Sequence, residues 1–165
     1  METFATARLR ASKLSLTDRD DLVALHLDPE VSRFLGGVRS PEATDAYIDT
    51  GLRHWADHGV GLWTLRDEDG AFTGRAALRY IELEDTREFE IAYALARDAW
   101  GRGLATEIAT ALVELWRTRC DPPELVGVVV KGNAGSETVL RKAGFAYERD
   151  ARFHDADCGV FRLKR

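Results

Sequence analysis

The sequence is poor in every feature that would mark a secreted, membrane or nucleic-acid-binding chain. Only two of its 165 residues are cysteine, Cys120 and Cys158. They are too few for a disulfide framework and lack metal-ligand spacing, so they read as free thiols in a reducing, cytoplasmic compartment. No apolar run reaches membrane-spanning length, and the opening METFATARLRASK has no apolar centre of the kind a secretory signal needs. Basic excess is missing too. The formal net charge of −5 argues against nucleic acid as a main partner, because phosphate binding needs a basic face. It sits more comfortably with a small cationic or amine substrate. No repeat, low-complexity tract or linker breaks the chain, so residues 1–165 read as one domain, long enough to bury a core without staples.

What is present is a series of clear changes in hydrophobic period. Leu9 to Leu14 reads as a first strand, and Thr17 followed by Asp20 as a helix start with Leu22, Val23, Leu25 and Leu27 buried. Ser40-Pro41 opens a second helix that Gly59 closes. Residues 62–66 and 71–81 flank the turn DEDG as a hairpin, and EFEIAYAL at 88–95 follows as a third strand. Leu104 to Arg119 is an amphipathic helix, ELVGVVV a strand covered on both faces, 136–143 a short helix, and Phe145–Phe153 and Gly159–Leu163 two final strands. The unit from 88 to 131 should be a right-handed parallel crossover. The expectation is an α+β fold with a mixed, mostly antiparallel seven-stranded sheet and helices on both faces.

The stretch WGRGLATEIATALVELW, 100–116, places two glycines and an arginine at the mouth of a helix. A strand-to-helix junction gathers unpaired N–H groups and the positive helix end, which suits a phosphate. A bare turn would use the same glycines. The dinucleotide fingerprint fails because its last glycine and the later acid are missing, and the Walker pattern fails for want of Gly-Lys-Ser/Thr.

The segment from Tyr93 to Thr106, ending WGRGLAT, resembles the pyrophosphate-binding signature of the GNAT superfamily of acetyl-CoA-dependent N-acetyltransferases. Within that family it is similar to the branch that acetylates ribosomal-protein N-termini. NAGSETVLRKAGF at 133–145, LDPEVSRFLGG near the start and GVGLWTLRDEDGAFTGRAAL at 59–78 resemble the same branch, so the likeness spans nearly the whole chain. Trp100 stands where the broad family has Gln or Arg.

The resemblance implies acetyl-CoA as cosubstrate, no metal, and an amine acceptor that is a small molecule or a protein N-terminus. It also implies a homodimer. Pantetheine would lie along Tyr93, Ala94 and Leu95, where one parallel strand pair splays, and the pyrophosphate on Gly101, Arg102, Gly103, Leu104, Ala105 and Thr106. Attack of an amine on a thioester needs a base, an oxyanion donor and an acid for the thiolate. Glu90 is the candidate base, against an ordinary surface glutamate. A backbone N–H near Tyr93 or Ala94 is the candidate oxyanion donor. The family's acidic tyrosine falls on Leu140, which cannot donate. Ser136, beside Asn133, is the substitute, and both also suit plain helix caps. The alternative to an enzyme is a non-catalytic acyl-CoA-binding module.

Secondary candidates are weaker. His54 and His58, four apart, read as a solvated helix face rather than a metal pair. Glu82, Glu84, Asp85, Glu88 and Glu90 crowd one hairpin and could line an amine-binding cleft. Phe34 and Leu35 shape an acceptor pocket, and Trp63 reads as core.

Overall fold

The computed structural model describes residues 1–165. One sheet runs through it: β1 (Thr3–Ala5), β2 (Arg10–Lys13), β3 (Leu62–Arg66), β4 (Phe72–Leu83), β5 (Thr86–Leu95), β6 (Glu124–Val130), β7 (Ala146–Phe153) and β8 (Ala156–Lys164). Their spatial order is β1-β2-β3-β4-β5-β6-β8-β7, and every neighbouring pair is antiparallel except β5–β6. The mixed, mostly antiparallel α+β architecture is the one expected. The count is eight strands rather than seven, because Thr3–Ala5 pairs with Arg10–Ser12 at the edge. Three residues of TFA carry too little alternation to announce a strand.

The helices are α1 (Arg19–Leu27), α2 (Pro29–Ser32), α3 (Pro41–His58), α4 (Leu104–Arg119) and α5 (Ala134–Lys142). Side-chain alternation divides them between the faces. Trp63, Leu65, Ala76, Leu78, Phe89 and Ile91 pack with Leu104, Ile108, Leu112 and Trp116 of α4 and Leu140 of α5. Leu62, Ala77 and Ala94, of opposite parity, pack with Leu22 and Leu25 of α1 and Ile48 of α3. Helices thus cover both faces, as β5 sandwiched between the two clusters requires.

Helix ends follow local chemistry. Ser40 accepts from the Ala43 amide and Gly59 closes α3 in the left-handed conformation, both as the sequence indicates. The first helical turn departs from expectation. Its cap is Ser15, not Thr17: the Ser15 hydroxyl accepts from Thr17 N, and the Asp18 carboxylate accepts from Ser15 N at 2.9 Å. The box therefore spans Ser15 to Asp18, two residues before Thr17–Asp20, and a short 3-10 turn precedes α1. Asp28 caps α2 by accepting from Glu30 N, and Arg97 reaches it from the segment after β5. That pair ties the 28–37 segment to the end of the splayed strand.

Candidate active site

β5 is paired with β4 along its whole length, from Thr86 to Leu95. Toward β6 it makes a single parallel register pair, Glu90 with Val126. Beyond that point the strands part, leaving the β6-facing backbone groups of Ile91 to Leu95 free of a strand partner. A cavity of about 540 Å³ fills the gap, lined by Tyr93, Ala94 and Leu95 on one side and Val128, Asn133 and Ser136 on the other.

The cavity ends at the glycine turn. Gly101 and Gly103 have φ of 71° and 76°, a region open to glycine and costly to other residues. The turn alone therefore requires both glycines. What a bare turn does not require is an open helix end: Gly103 is the N-cap of α4 and no side chain caps it, so the first-turn amides stay available. Leu104 is buried in the core, leaving only its backbone for a ligand, whereas Ala105 and Thr106 also line the cavity. Arg102 is exposed and its carbonyl accepts from Arg8 Nη1 at 2.7 Å. Arg8, which sequence reading passed over, is fixed beside this turn by Glu107, with Nε to Oε2 at 2.8 Å. Trp100 is 46% exposed, yet its indole donates to the Leu95 carbonyl at 2.9 Å. It closes the loop rather than offering a phosphate contact.

At the apex of the splay sits Glu90. It is 4% exposed, which excludes an ordinary surface glutamate. Its Oε2 accepts from Arg79 Nε at 2.8 Å, and Oε1 accepts no hydrogen bond from the protein. The β4–β5 register puts Arg79 beside Glu90, Ala77 beside Ala92 and Arg75 beside Ala94. Small residues keep this strip low between two guanidiniums. The Arg79 guanidinium is favoured in its charged form: burial opposes the charge, and the Glu90 carboxylate together with the Tyr47 hydroxyl outweighs it.

Across the gap, Asn133 caps α5. Its Oδ1 accepts from Ser136 N at 3.2 Å and its Nδ2 donates to Ser136 Oγ at 3.0 Å. The cap reading is thus realised for Asn133 but not for Ser136, which is the residue being capped, and the pair of bonds fixes the Ser136 hydroxyl at the cavity wall. Opposite Ser136 lies a group that sequence reading treated only as backbone. The Tyr93 hydroxyl is buried and has no hydrogen-bond partner. Burial pushes its pKa up to about 12 while the nearby Ser136 hydroxyl opposes the shift, so it is held as a donor. The parity of Phe89, Ile91 and Tyr93 was the available signal, since it aims this phenol at α5. Leu140 is buried against Gly127, where an added Cβ would stand 2.5 Å from Leu140 Cδ1. The position is core packing and supplies no acid.

The remaining candidates resolve as follows. Phe34 and Leu35 line the cavity and Trp63 is fully buried, as expected. His54 is not a solvated side chain. Its Nε2 accepts from Tyr80 N at 2.9 Å, so its Nδ1–H donates to the Val60 carbonyl at 2.7 Å, stapling α3 to the sheet. The acidic hairpin does not line an amine cleft. Glu88 pairs with Arg162 and Glu84 with Arg149, and of the five acids only Glu90 reaches the cavity. Their partners lie far along the chain, where spacing gives no hint of them.

Residues 8–146 match the acetyltransferase (GNAT) domain family. YkkB of Bacillus subtilis is 27% identical over 90% of this chain and 89% of its own length. The crystal structure of an acetyltransferase from Agrobacterium tumefaciens is 25% identical and superposes with a TM-score of 0.88, covering 100% of this chain and 95% of that one. The fold is also shared, at a TM-score of 0.81 and 18% identity, with the ribosomal L7/L12 α-N-protein acetyltransferase RimL in complex with coenzyme A, covering 99% of this chain and 98% of that one.

Proposed function

This chain belongs to the GNAT acetyltransferase family, and on that premise we propose that it is an acetyl-CoA-dependent enzyme that transfers acetyl to a primary amine by direct attack in a ternary complex. One observation carries the reading: the β5–β6 splay runs from a buried, half-used carboxylate at its apex to an uncapped helix N-terminus at its foot. Pantetheine amides pair with the free backbone of Tyr93 to Leu95. The pyrophosphate rests on the amides of 101–106, with Arg102 and Arg8 adding charge. No metal is assigned a role. Two free cysteines suit a reducing, cytoplasmic setting.

The chemistry follows from the side chains around the apex. Arg79 holds Glu90 through Oε2, which leaves Oε1 to take the amine's proton, through one water where the acceptor stands back. The attacking nitrogen forms its bond to the thioester carbon, and an amide N–H of Tyr93 or Ala94 stabilises the resulting oxyanion. As the carbon–sulfur bond breaks, the pair on sulfur is met by a donor from the Asn133–Ser136–Tyr93 cluster. A phenol held near 12 stays protonated at neutral pH and serves as that donor by hydrogen bonding; solvent completes the proton transfer.

Glu90→Gln tests the assignment. It keeps the shape and an acceptor for Arg79 but removes the base, so kcat should fall at least ~100-fold while acetyl-CoA affinity is unchanged. Undiminished turnover would remove Glu90 from the mechanism. Coenzyme binding by the wild type without thiol release on any amine would instead favour the non-catalytic acyl-CoA-binding module, the reading to which Leu140 in the tyrosine position lends support.

A further inference from the structure

Where β4 and the 34–39 segment line the cavity, cations gather. Arg39, Arg75 and Arg79 all line it, and the one buried carboxylate facing them, Glu90, is taken by Arg79. No carboxylate lies within ion-pair distance of Arg39 or Arg75. Arg75 is 3% exposed, and of its guanidinium only Nε is used, donating to His26 Nε2 at 3.1 Å. Arg39 Nη1 lies 3.4 Å from the same nitrogen. A ring nitrogen that accepts from a guanidinium carries no proton. The other nitrogen, Nδ1, therefore donates to Thr44 Oγ1 at 2.9 Å, and His26 is a neutral support, not a counter-charge. Both guanidiniums also lie against the Tyr47 ring, with Arg39 and Arg75 carbons 5.0 Å and 4.9 Å from its centroid. The Tyr47 hydroxyl is buried close to the Arg79 guanidinium but makes no well-formed hydrogen bond.

A buried guanidinium without a carboxylate is among the least favourable placements a side chain can have; Arg75 is one, and the half-buried Arg39, which donates only to the Leu35 carbonyl and His26, stands beside it. Burial above all, and neighbouring guanidinium charge to a lesser degree, weaken the hold of Arg39 and Arg75 on their charge, with Tyr47 opposing the shift in both and Glu90 in Arg75. An anionic oxo group in the cavity would meet both guanidiniums at once. Guanidinium forks match carboxylate and phosphate oxygens.

We propose that the acceptor amine carries an anionic oxo group, a carboxylate or a phosphate, that docks on the guanidiniums of Arg39 and Arg75 where they line the cavity. This rests on the acetyltransferase reading and narrows it, from any amine to amines such as amino acids or aminoalkyl phosphates. Polycations such as polyamines are disfavoured by the same two charges.

The test is a thermal-shift panel on the coenzyme A-bound protein, using the twenty common L-amino acids, their C-terminal amides, ethanolamine, phosphoethanolamine and the polyamine spermidine. The expected result is that stabilising ligands come from the anionic members, each outperforming its neutral or amidated partner at least tenfold in apparent affinity. Preference for amino acids over their amides identifies the carboxylate; preference for phosphoethanolamine over ethanolamine identifies the phosphate. Arg75→Met, and independently Arg39→Met, should bring the ratio toward one, with retained stabilisation by coenzyme A showing that each variant is folded. An amide or a polyamine binding as well as the acid, no stabilisation by any anionic member, or an unchanged ratio in both folded variants would each overturn the proposal. Thiol release from acetyl-CoA, measured on the best binder, keeps the two readings apart: anion-dependent binding without release counts against acetyl transfer and leaves the anion site standing.

Discussion

Two arginines of this molecule live in opposite electrostatic worlds. Arg162, on β8, is 14% exposed in its side chain and pairs with Glu88, Glu124 and Glu148 within 3.0 Å. Arg75, on β4, is buried more deeply and pairs with none. The first is more strongly held in its charged form, by hydrogen bonds to Glu88 and Glu148 above all, and the second less strongly, by burial. A cation saturated by carboxylates serves folding, because its partners are complete. One left open at a cavity adds little to folding and is free to meet a ligand, the role proposed for it here.

The widest separation between the two regions should come from acid titration. Burial first, then the charges of Arg75 and Arg39, lower the His26 pKa from 6.5 to about 3. The folded form thus refuses a proton that the unfolded chain takes up below about pH 6.5. Stability from this group is whole above that pH and is lost between about 6.5 and 3, at up to ~1.4 kcal/mol per pH unit. The Glu148 carboxyl, lowered by its hydrogen bond to Arg162, also favours the folded state, but its stability is lost only as pH falls below about 4.5. Urea unfolding of the wild type and His26→Gln at pH 7, 6 and 5 separates the windows. The gap between the two proteins should narrow across that series, and a constant gap would show that His26 is not held neutral.

Next in size are the arginines themselves. Arg162→Met strands three carboxylates on one patch, and with partial solvent exposure the loss should be ~2–3 kcal/mol, or roughly 5–10 °C in Tm. Arg75→Met exchanges a lost bond to His26 for relief of like-charge crowding, so its net change should stay within ~1 kcal/mol. Calorimetric melting of both variants compares them directly. Equal destabilisation would dissolve the distinction on which the acceptor assignment stands.

The same contrast explains what could be read from the sequence. The coenzyme end is contiguous: strand, glycine turn and helix start lie within Tyr93–Thr106, and each requirement is visible as a residue type at fixed spacing. The sheet was legible for the same reason, save for an edge strand of three residues and a cap displaced to Ser15. The acceptor end is assembled from separated pieces. Arg39 comes from a loop, Arg75 and Arg79 from β4, His26 from α1 and Tyr47 from α3. A local signal existed in GRAALRY, where Arg75 and Arg79 fall on the same face of a strand whose neighbours are all apolar. The net charge of −5 pointed the other way, toward a cationic substrate, because it averages over surface acids such as Glu84 and Glu148 that already have partners.

In the proposed function the splayed strands and the glycine turn together hold acetyl-CoA, and one melting experiment addresses this directly. With acetyl-CoA at about a hundred times its dissociation constant, the wild type should gain roughly 2.7 kcal/mol, a rise of roughly 5–10 °C. Gly103→Val, which forces a β-branched residue to a φ of 76° and blocks the helix end, should lose most of that rise. A wild-type melting temperature indifferent to acetyl-CoA would contradict the account, leaving the glycines as a turn and nothing more.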